Sequence, residues 1–535
     1  MASINFAGKT TVCWLTTSFM TLSTSKTTMM RKGCTYTYVL LSLAFIVINI
    51  ATLRNLAPWT DEVMFLDTSY NMAVHGSWET TAWYCTAGQY PFSTYPPLYQ
   101  LLATAWIWLF GGSLVAVRSL NLFITFVLGG ACLQLMRRLR QASSTHSCQT
   151  IGLPLTPWTV VLFTLLLWGT SEMAWMYRNG RPDMLCALMF IFTVKAIHCH
   201  STDRSTTTLI ATVATSALLV CSGFQAAAYL LSLWLFLLIV MKGRRKEGLR
   251  LLVLLLTGLL LGVLFVSLFM LAHGRLMAFA CSILPYSATL SALAVKVLPW
   301  AGDALGCDTT PYTQKLLALS THTTFTERLA SIVDYRSFLL LAAIALAAYA
   351  SNFRDRLIKP AFLLLLFALY VPVVMTLAGR FPIYYRWMAF LPLLFSVTMI
   401  AARQRLWRIV FSVAAVVMTV VGIRSMMPNE HWHYANLQSF VERQHFQRTD
   451  AVVCPFSVFY AMKPVCDTCY FVGIFPTEFI GHVDYIIEAR NGDEYDQPIT
   501  DYVGTLQADS TLVVTVIDSC ENPALTLYHV QSKHE

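Results

Sequence analysis

Leu251-Leu-Val-Leu-Leu-Leu-Thr-Gly-Leu-Leu-Leu-Gly-Val-Leu-Phe-Val-Ser-Leu-Phe-Met-Leu-Ala272 runs without a charged residue, directly after the basic stretch Lys242-Gly-Arg-Arg-Lys-Glu-Gly-Leu-Arg250. A bilayer core about 30 Å thick needs roughly 20 apolar residues in a helix, so this segment has the length of a membrane span. The cations beside it mark the side on which it starts, because loops kept inside the membrane are enriched in Lys and Arg. The same alternation recurs along the chain. Apolar segments at 36–53, 115–135, 158–175, 184–197, 207–222, 226–241, 338–350, 361–377, 387–402 and 409–423 join 251–272 to give about eleven spans. The segment 98–110, followed by Gly111-Gly112, is too short and reads as an interfacial or re-entrant helix.

Composition agrees. Hydrophobic residues make up 56% of the 535 residues and charged residues 12%, against about 25% charged in soluble domains. Mean hydropathy is +0.58. The net charge of +9 does not point to nucleic acid. Its cations cluster at Arg137–Arg140, Lys242–Arg250, Arg354–Lys359 and Arg403–Arg408, all on one side once the chain is threaded with its N-terminus inside. That threading leaves three regions outside: 54–114, 273–337 and the tail from Arg424. Residues 1–35 form a cytoplasmic N-terminal segment without a convincing signal peptide, and Met29 or Met30 is a possible alternative start. Residues 36–423 form an all-α membrane domain, and 424–535 a small extracytoplasmic α/β or α+β domain with β-rich runs at 451–453, 483–487 and 511–516. Structural pairing is the favoured reading of Cys466-Asp-Thr-Cys469, over a metal pair or a redox motif. The sequence contains no Asn-x-Ser/Thr sequon, which favours a bacterial inner membrane.

The polar residues of interest lie at outer ends of spans. Asp61-Glu62 sits at the mouth of a helix, followed by Asp67 and Tyr70, where a lipid headgroup would be. Arg178-Asn-Gly-Arg-Pro-Asp183 enters the fourth span, with Pro182 in its first turn and Asp183 near the positive end of the helix dipole. Gly379-Arg-Phe-Pro-Ile-Tyr-Tyr-Arg386 enters a late span with two cations, Arg380 and Arg386. Interfacial carboxylates, a capping Asp and snorkelling arginines are the bland readings of each site alone. Carboxylates and arginines together on one face suit an anionic lipid-linked substrate.

Tyr95-Pro-Pro-Leu-Tyr-Gln-Leu-Leu-Ala-Thr-Ala-Trp-Ile-Trp-Leu-Phe-Gly111, with Ala116-Val-Arg118-Ser-Leu-Asn-Leu after it, resembles the signature of the protein mannosyltransferase-like superfamily, which includes the aminoarabinose transferases acting on lipid A. Asp61-Glu62 and Arg181-Pro182-Asp183 match its two acidic motifs, and Tyr385-Arg386 with Pro392 resembles a later one; the likeness covers 35–200 well and the later spans by topology. The resemblance implies a C-type glycosyltransferase fold and a polyprenyl-phosphate sugar donor. It also implies inverting transfer to an envelope lipid, glycan or protein, with Asp61 as general base and Glu62 as supporting acid. Asp183 would bind substrate or position the first loop, while Arg178, Arg181, Arg380 or Arg386 would neutralise the leaving phosphate. Tyr95 stands where the aminoarabinose transferases carry Lys. Asp61, Glu62, His75 and Asp183 offer metal-ligand atoms at no diagnostic spacing, so the expected metal is none and no cofactor is implied. Two other classes compete. A flippase for a lipid-linked glycan would show half-to-half repeats, which the sequence lacks. A non-catalytic scaffold would not need the acids on one face.

Overall fold

The apolar runs fold as helices, since backbone polar groups in hydrocarbon must be satisfied within their own segment. A computed structural model of the chain describes residues 32–82, 95–142, 155–240, 245–276, 279, 325–330, 336–352, 359–377, 385–427, 434–471, 477, 480–489, 497–522 and 524–533. Arg380 and most of the expected 273–337 loop lie outside the described residues. The membrane part comprises α1 (Lys32–Asn55), α2 (Thr60–His75), α3 (Leu98–Phe110), α4 (Leu114–Ala142), α5 (Pro157–Gly169), α6 (Ser171–Tyr177), α7 (Asp183–Asp203), α8 (Thr206–Ser222), α9 (Phe224–Val240) and α10 (Arg245–Ala272). It continues through α11 (Phe325–Ala330), α12 (Arg336–Ser351), α13 (Lys359–Leu377), α14 (Arg386–Arg403) and α15 (Arg405–Arg424).

Seven of these helices, α1, α4, α7, α10, α13, α14 and α15, are long and apolar enough to cross a membrane, and α5 with α6 makes an eighth if the bent pair is one span. Shorter apolar helices, α8, α9 and α12, occupy three further expected positions, and α3 is also short. The chain is thus a multi-pass integral membrane protein. In α14, 83% of the apolar window is buried, against 28% in α1, α10 and α15, so α14 lies inside the bundle while the other three show apolar flanks to lipid.

The sequence suggests one continuous span over 158–175, but the helix bends by 64° between α5 and α6. A Cβ on Gly169 would collide with Thr419 of α15, and one on Gly422 would collide with the carbonyl of Gly169. The two glycines let α15 press against the break, as small residues do where membrane helices touch. Tyr177 folds back and donates to the Trp168 carbonyl at 2.5 Å, which supplies a donor to that turn.

The tail forms α16 (Tyr434–Arg443), β1 (Ala451–Cys454), α17 (Phe459–Met462), β2 (Thr468–Phe471), β3 (Tyr485–Ala489), α18 (Gln497–Ala508), β4 (Leu512–Glu521) and β5 (Ala524–Ser532). Its sheet has the order β2-β1-β3-β5-β4. β1 runs parallel to β2 and β3, whereas β5 runs antiparallel to β3 and β4. Cys454, Cys466 and Cys469 are buried free thiols, so the pairing expected at Cys466–Cys469 is not formed.

One arginine joins the first elements. Arg118, on the first turns of α4, uses all five of its N–H donors without reaching water. Nε and Nη2 grip Glu62 of α2 at 2.7 Å each, Nη1 reaches the carbonyls of Leu53 and Leu56 at 2.8 and 2.7 Å, and Nη2 reaches that of Ala57 at 3.1 Å. It therefore closes the carboxyl end of α1 and pins the start of α2 at once. Both side chains are 0% exposed. Removing one partner of such a pair strands the other's charge, at a cost of about 3–5 kcal/mol. Arg118→Met is expected to lower the thermal unfolding midpoint in detergent sharply, and Arg118→Met with Glu62→Leu to recover most of the loss. A midpoint unchanged by the single substitution would remove this anchor from the fold's support.

Candidate active site at one end of the bundle

α2 begins after the extended Ala57-Pro58-Trp59 segment, and its first turn carries Asp61 and Glu62, where the exposed N–H groups favour negative charge. The turn at 178–183 links α6 to α7, with Pro182 at the N-cap and Asp183 as the first helical residue. Two contacts fix this turn against the rest. Asn121 of α4 donates through Nδ2 to the carbonyls of Asn179 and Arg181, the latter at 2.9 Å. Gly180 faces α2 so closely that a Cβ would collide with Leu66 and come within 3.0 Å of Glu62 Cγ.

The two acidic motifs meet through Arg181. Its Nη1 lies 2.9 Å from Asp61 Oδ2 and its Nε 2.8 Å from Asp183 Oδ2. Asp183 is buried, and its Oδ1 has no hydrogen-bond donor among the described residues. The Asp61 side chain keeps 29% exposure. Crowding by surrounding protein raises the Asp61 carboxyl above the ordinary carboxylate range, and Arg181 opposes that rise without cancelling it. The same two carboxylates hold the Arg181 guanidinium above its usual range despite its burial. Its Cζ lies 4.7 Å from the ring centre of Trp59 and 5.4 Å from that of Trp175, and the Arg386 Cζ lies 4.8 Å from the Trp175 centre. The structure therefore brings Asp61, Arg181, Asp183 and Arg386 to one aromatic-walled place.

Tyr95 and Tyr385 lie within electrostatic reach of Arg181. Burial pushes the Tyr95 phenol well up, so it remains a neutral hydroxyl. Gln225, at the start of α9, donates to that hydroxyl, and Phe65 stacks edge-on against its ring at 4.9 Å. Gln225 carries no motif and is not legible as a site residue from the sequence.

Three other expected residues are placed elsewhere. Glu62 is enclosed: Oε1 accepts from Arg118 Nε and from the Tyr460 hydroxyl at 2.6 Å, and Oε2 accepts from Arg118 Nη2. Arg178 turns away from Asp61 and caps the end of α1, reaching the Thr52 carbonyl at 2.6 Å and the Thr52 hydroxyl at 3.1 Å. His75, at the far end of α2, faces Asp467 at 3.9 Å. Among the described residues no group of three or more His, Cys, Asp or Glu side chains is placed to hold a metal ion.

Chemically, the cluster offers one partly exposed carboxylate, a guanidinium shared between two acids, and a second guanidinium beside them. Its geometry depends on the close approach at position 180. Gly180→Ala must move Leu66 or the 178–183 turn, and overpacking of this kind costs about 1–3 kcal/mol. Thermal unfolding should show that loss for Gly180→Ala and none for Gly504→Ala, where a Cβ meets open space. Equal midpoints for the two variants would contradict the tight packing of the turn on α2.

No protein-family model matches the chain, and no curated protein is similar to it. Solved structures are similar to it in overall chain path, two of them as follows. The crystal structure of ArnT from Cupriavidus metallidurans bound to undecaprenyl phosphate has a TM-score of 0.47 and 12% identity, over 92% of this chain and 97% of that one. ArnT from the same organism in the apo state has a TM-score of 0.44 and 13% identity, over the same shares of the two chains.

Proposed function

We propose that the chain is a membrane glycosyltransferase of the C-type fold that moves a sugar from a polyprenyl-phosphate donor to a hydroxyl acceptor of the cell envelope. The observation that carries this reading is the bridge Asp61–Arg181–Asp183 at the end of a lipid-embedded bundle. The sequence resemblance over 35–200 supports the donor class.

Asp61 is the base. Its carboxylate takes the proton of the acceptor hydroxyl as the oxygen attacks the anomeric carbon; the bond from that carbon to the phosphate oxygen breaks, and the lipid phosphate leaves with the electron pair. Inversion follows from attack opposite the leaving group. Two acids and one guanidinium leave the bridge with a net charge of about −1, which would repel a phosphate. Arg386, on the same tryptophan wall as Arg181, supplies the second positive charge that a phosphate binding there requires, with Arg380 a further candidate. Asp183 holds Arg181 and keeps one oxygen for substrate, and Tyr95 and Tyr385 offer neutral hydroxyls to the sugar. Glu62, enclosed by Arg118 and Tyr460, acts as a positioning residue, and Arg178 as a cap on α1.

Charge placement supports an outward-facing site. Arg118, Asp183 and Arg386 stand at the site end of α4, α7 and α14, while Arg137–Arg138, Arg204 and Arg403–Arg408 stand at the opposite end. With the cation-rich end inside, the N-terminus is cytoplasmic and the site and tail are periplasmic in a bacterial inner membrane.

The test is sugar transfer from a labelled polyprenyl-phosphate sugar by the purified chain in lipid. Asp61→Asn is expected to lower kcat by about 10²–10⁴-fold, the usual worth of a positioned base. The base works ionised, so kcat/KM should rise with pH through the raised Asp61 value. The acidic limb should therefore lie above the ordinary aspartate position near 3.9. Near-normal turnover by Asp61→Asn would sink the base assignment. Failure of the wild type across a broad donor and acceptor panel would sink the transferase.

A further inference from the structure

The tail is bound both to the helix that carries Asp61 and to the segment that follows it. The Tyr460 hydroxyl, on α17, donates to Glu62 at 2.6 Å. Lys463, just after α17, is buried with its Nζ 2.5 Å from Asp67 Oδ1 and 2.7 Å from Asn71 Oδ1. Asp67 Oδ2 in turn accepts from the Thr81 N–H at 2.7 Å and from the Thr80 hydroxyl at 2.9 Å. Thr81 completes the circuit: its carbonyl accepts from the Phe471 N–H at 3.0 Å, and its hydroxyl donates to the Cys469 carbonyl. The segment after α2 thus lies along β2 at the edge of the tail's sheet, and the contacts run along α2 from 62 to 71.

The chemistry of these contacts is informative. A buried ion pair holds two surfaces together no better than a well-packed apolar pair of the same volume, because desolvation offsets the attraction. Directional contacts instead define a register. Here they define where the first turn of α2 stands, one residue from Asp61. Arg118 holds Glu62 from the membrane side and Tyr460 holds the same carboxylate from the tail. We infer that Tyr460 and Lys463 of the C-terminal domain are positioning residues of the site: acting through Glu62 and Asp67, they set the place of the Asp61 carboxylate against Arg181. The inference rests on the proposed function for its kinetic consequence, though not for its structural one. The tail is then a working part of the site, without itself touching substrate.

The test uses the full chain in lipid nanodiscs with Tyr460→Phe, which removes one hydroxyl, and Lys463→Met, which removes one charge. Lys463→Arg serves as the conservative variant. Thr500→Val is the control, since it removes a hydrogen bond to Glu488 within the same domain, away from α2. Amide hydrogen exchange over 60–82 should speed up in Tyr460→Phe and Lys463→Met, stay unchanged in Thr500→Val, and return toward wild type in Lys463→Arg. On folded protein, kcat should fall by about ten- to a hundredfold in the first two, the range expected for a displaced catalytic group, with donor KM within about twofold. The acidic limb should move to lower pH, as a loosened α2 admits water to Asp61. Wild-type exchange over 60–82 in both variants overturns the inference, and so does a loosened segment with unchanged kcat and pH limb. Exchange needs no substrate, so it decides the clamp even where the wild type transfers no sugar, an outcome that sinks the proposed function alone.

Discussion

A guanidinium and a carboxylate shut away from water determine how α1, α2 and α4 come together. Arg118 and Glu62 are each 0% exposed, and desolvating two such ions costs several kcal/mol apiece unless every donor and acceptor finds a partner. The requirement is met by recruiting backbone. The carbonyls of Leu53, Leu56 and Ala57 complete the Arg118 shell, so α1 must end, and α2 must begin, beside the first turns of α4. Once Glu62 is fixed there, Asp61 has little freedom, and the 178–183 turn is brought against α2 by Asn121 and by the missing side chain of Gly180.

Arg181 plays a different part from Arg118, although both are buried cations facing acids. Arg118 spends its donors on one carboxylate and three carbonyls, a closed arrangement that leaves nothing for a ligand. Arg181 faces two carboxylates, against aromatic walls, next to a buried oxygen of Asp183 that has no donor among the described residues. Unpaired buried acceptors are costly, and they persist where a ligand or water completes them. That difference separates the closed Arg118 pair from the open one at Arg181, and no residue-type pattern could reveal it.

The helical membrane domain was legible because spans are long, apolar and bracketed by cations, and each expected span carries helix. The break in 158–175 was not, since its causes lie in Thr419 and Gly422, some 250 residues away in sequence. Asp61, Arg181 and Asp183 were visible as polar residues at span ends, and Trp59 lay beside them without a reason to single it out. Glu62 was visible as an acid, but its enclosure was not, because one of its partners, Tyr460, is 398 residues away. Lys463 and Gln225 sit in ordinary surroundings in the sequence and gain meaning only from what faces them. Local periodicity reports which face of an element is buried; it does not report which distant element supplies the countercharge.

The three acids of α2 make the point in a single helix. Asp61, Glu62 and Asp67 each meet a cation from a different part of the chain: Arg181 from the turn before α7, Arg118 from α4, and Lys463 from the tail. Two of the pairs are sealed. Glu62 and Asp67 are wholly buried and accept from several donors each, so neither can take a proton from a substrate without breaking the fold. Asp61 alone among the three retains exposure, and crowding by the surrounding protein raises its carboxyl above the ordinary range. A helix held at three points along its length, with a partly exposed acid at the one point that stays open, is a rigid support for the base we propose. The sealed pairs set the geometry, and the open one is left for chemistry.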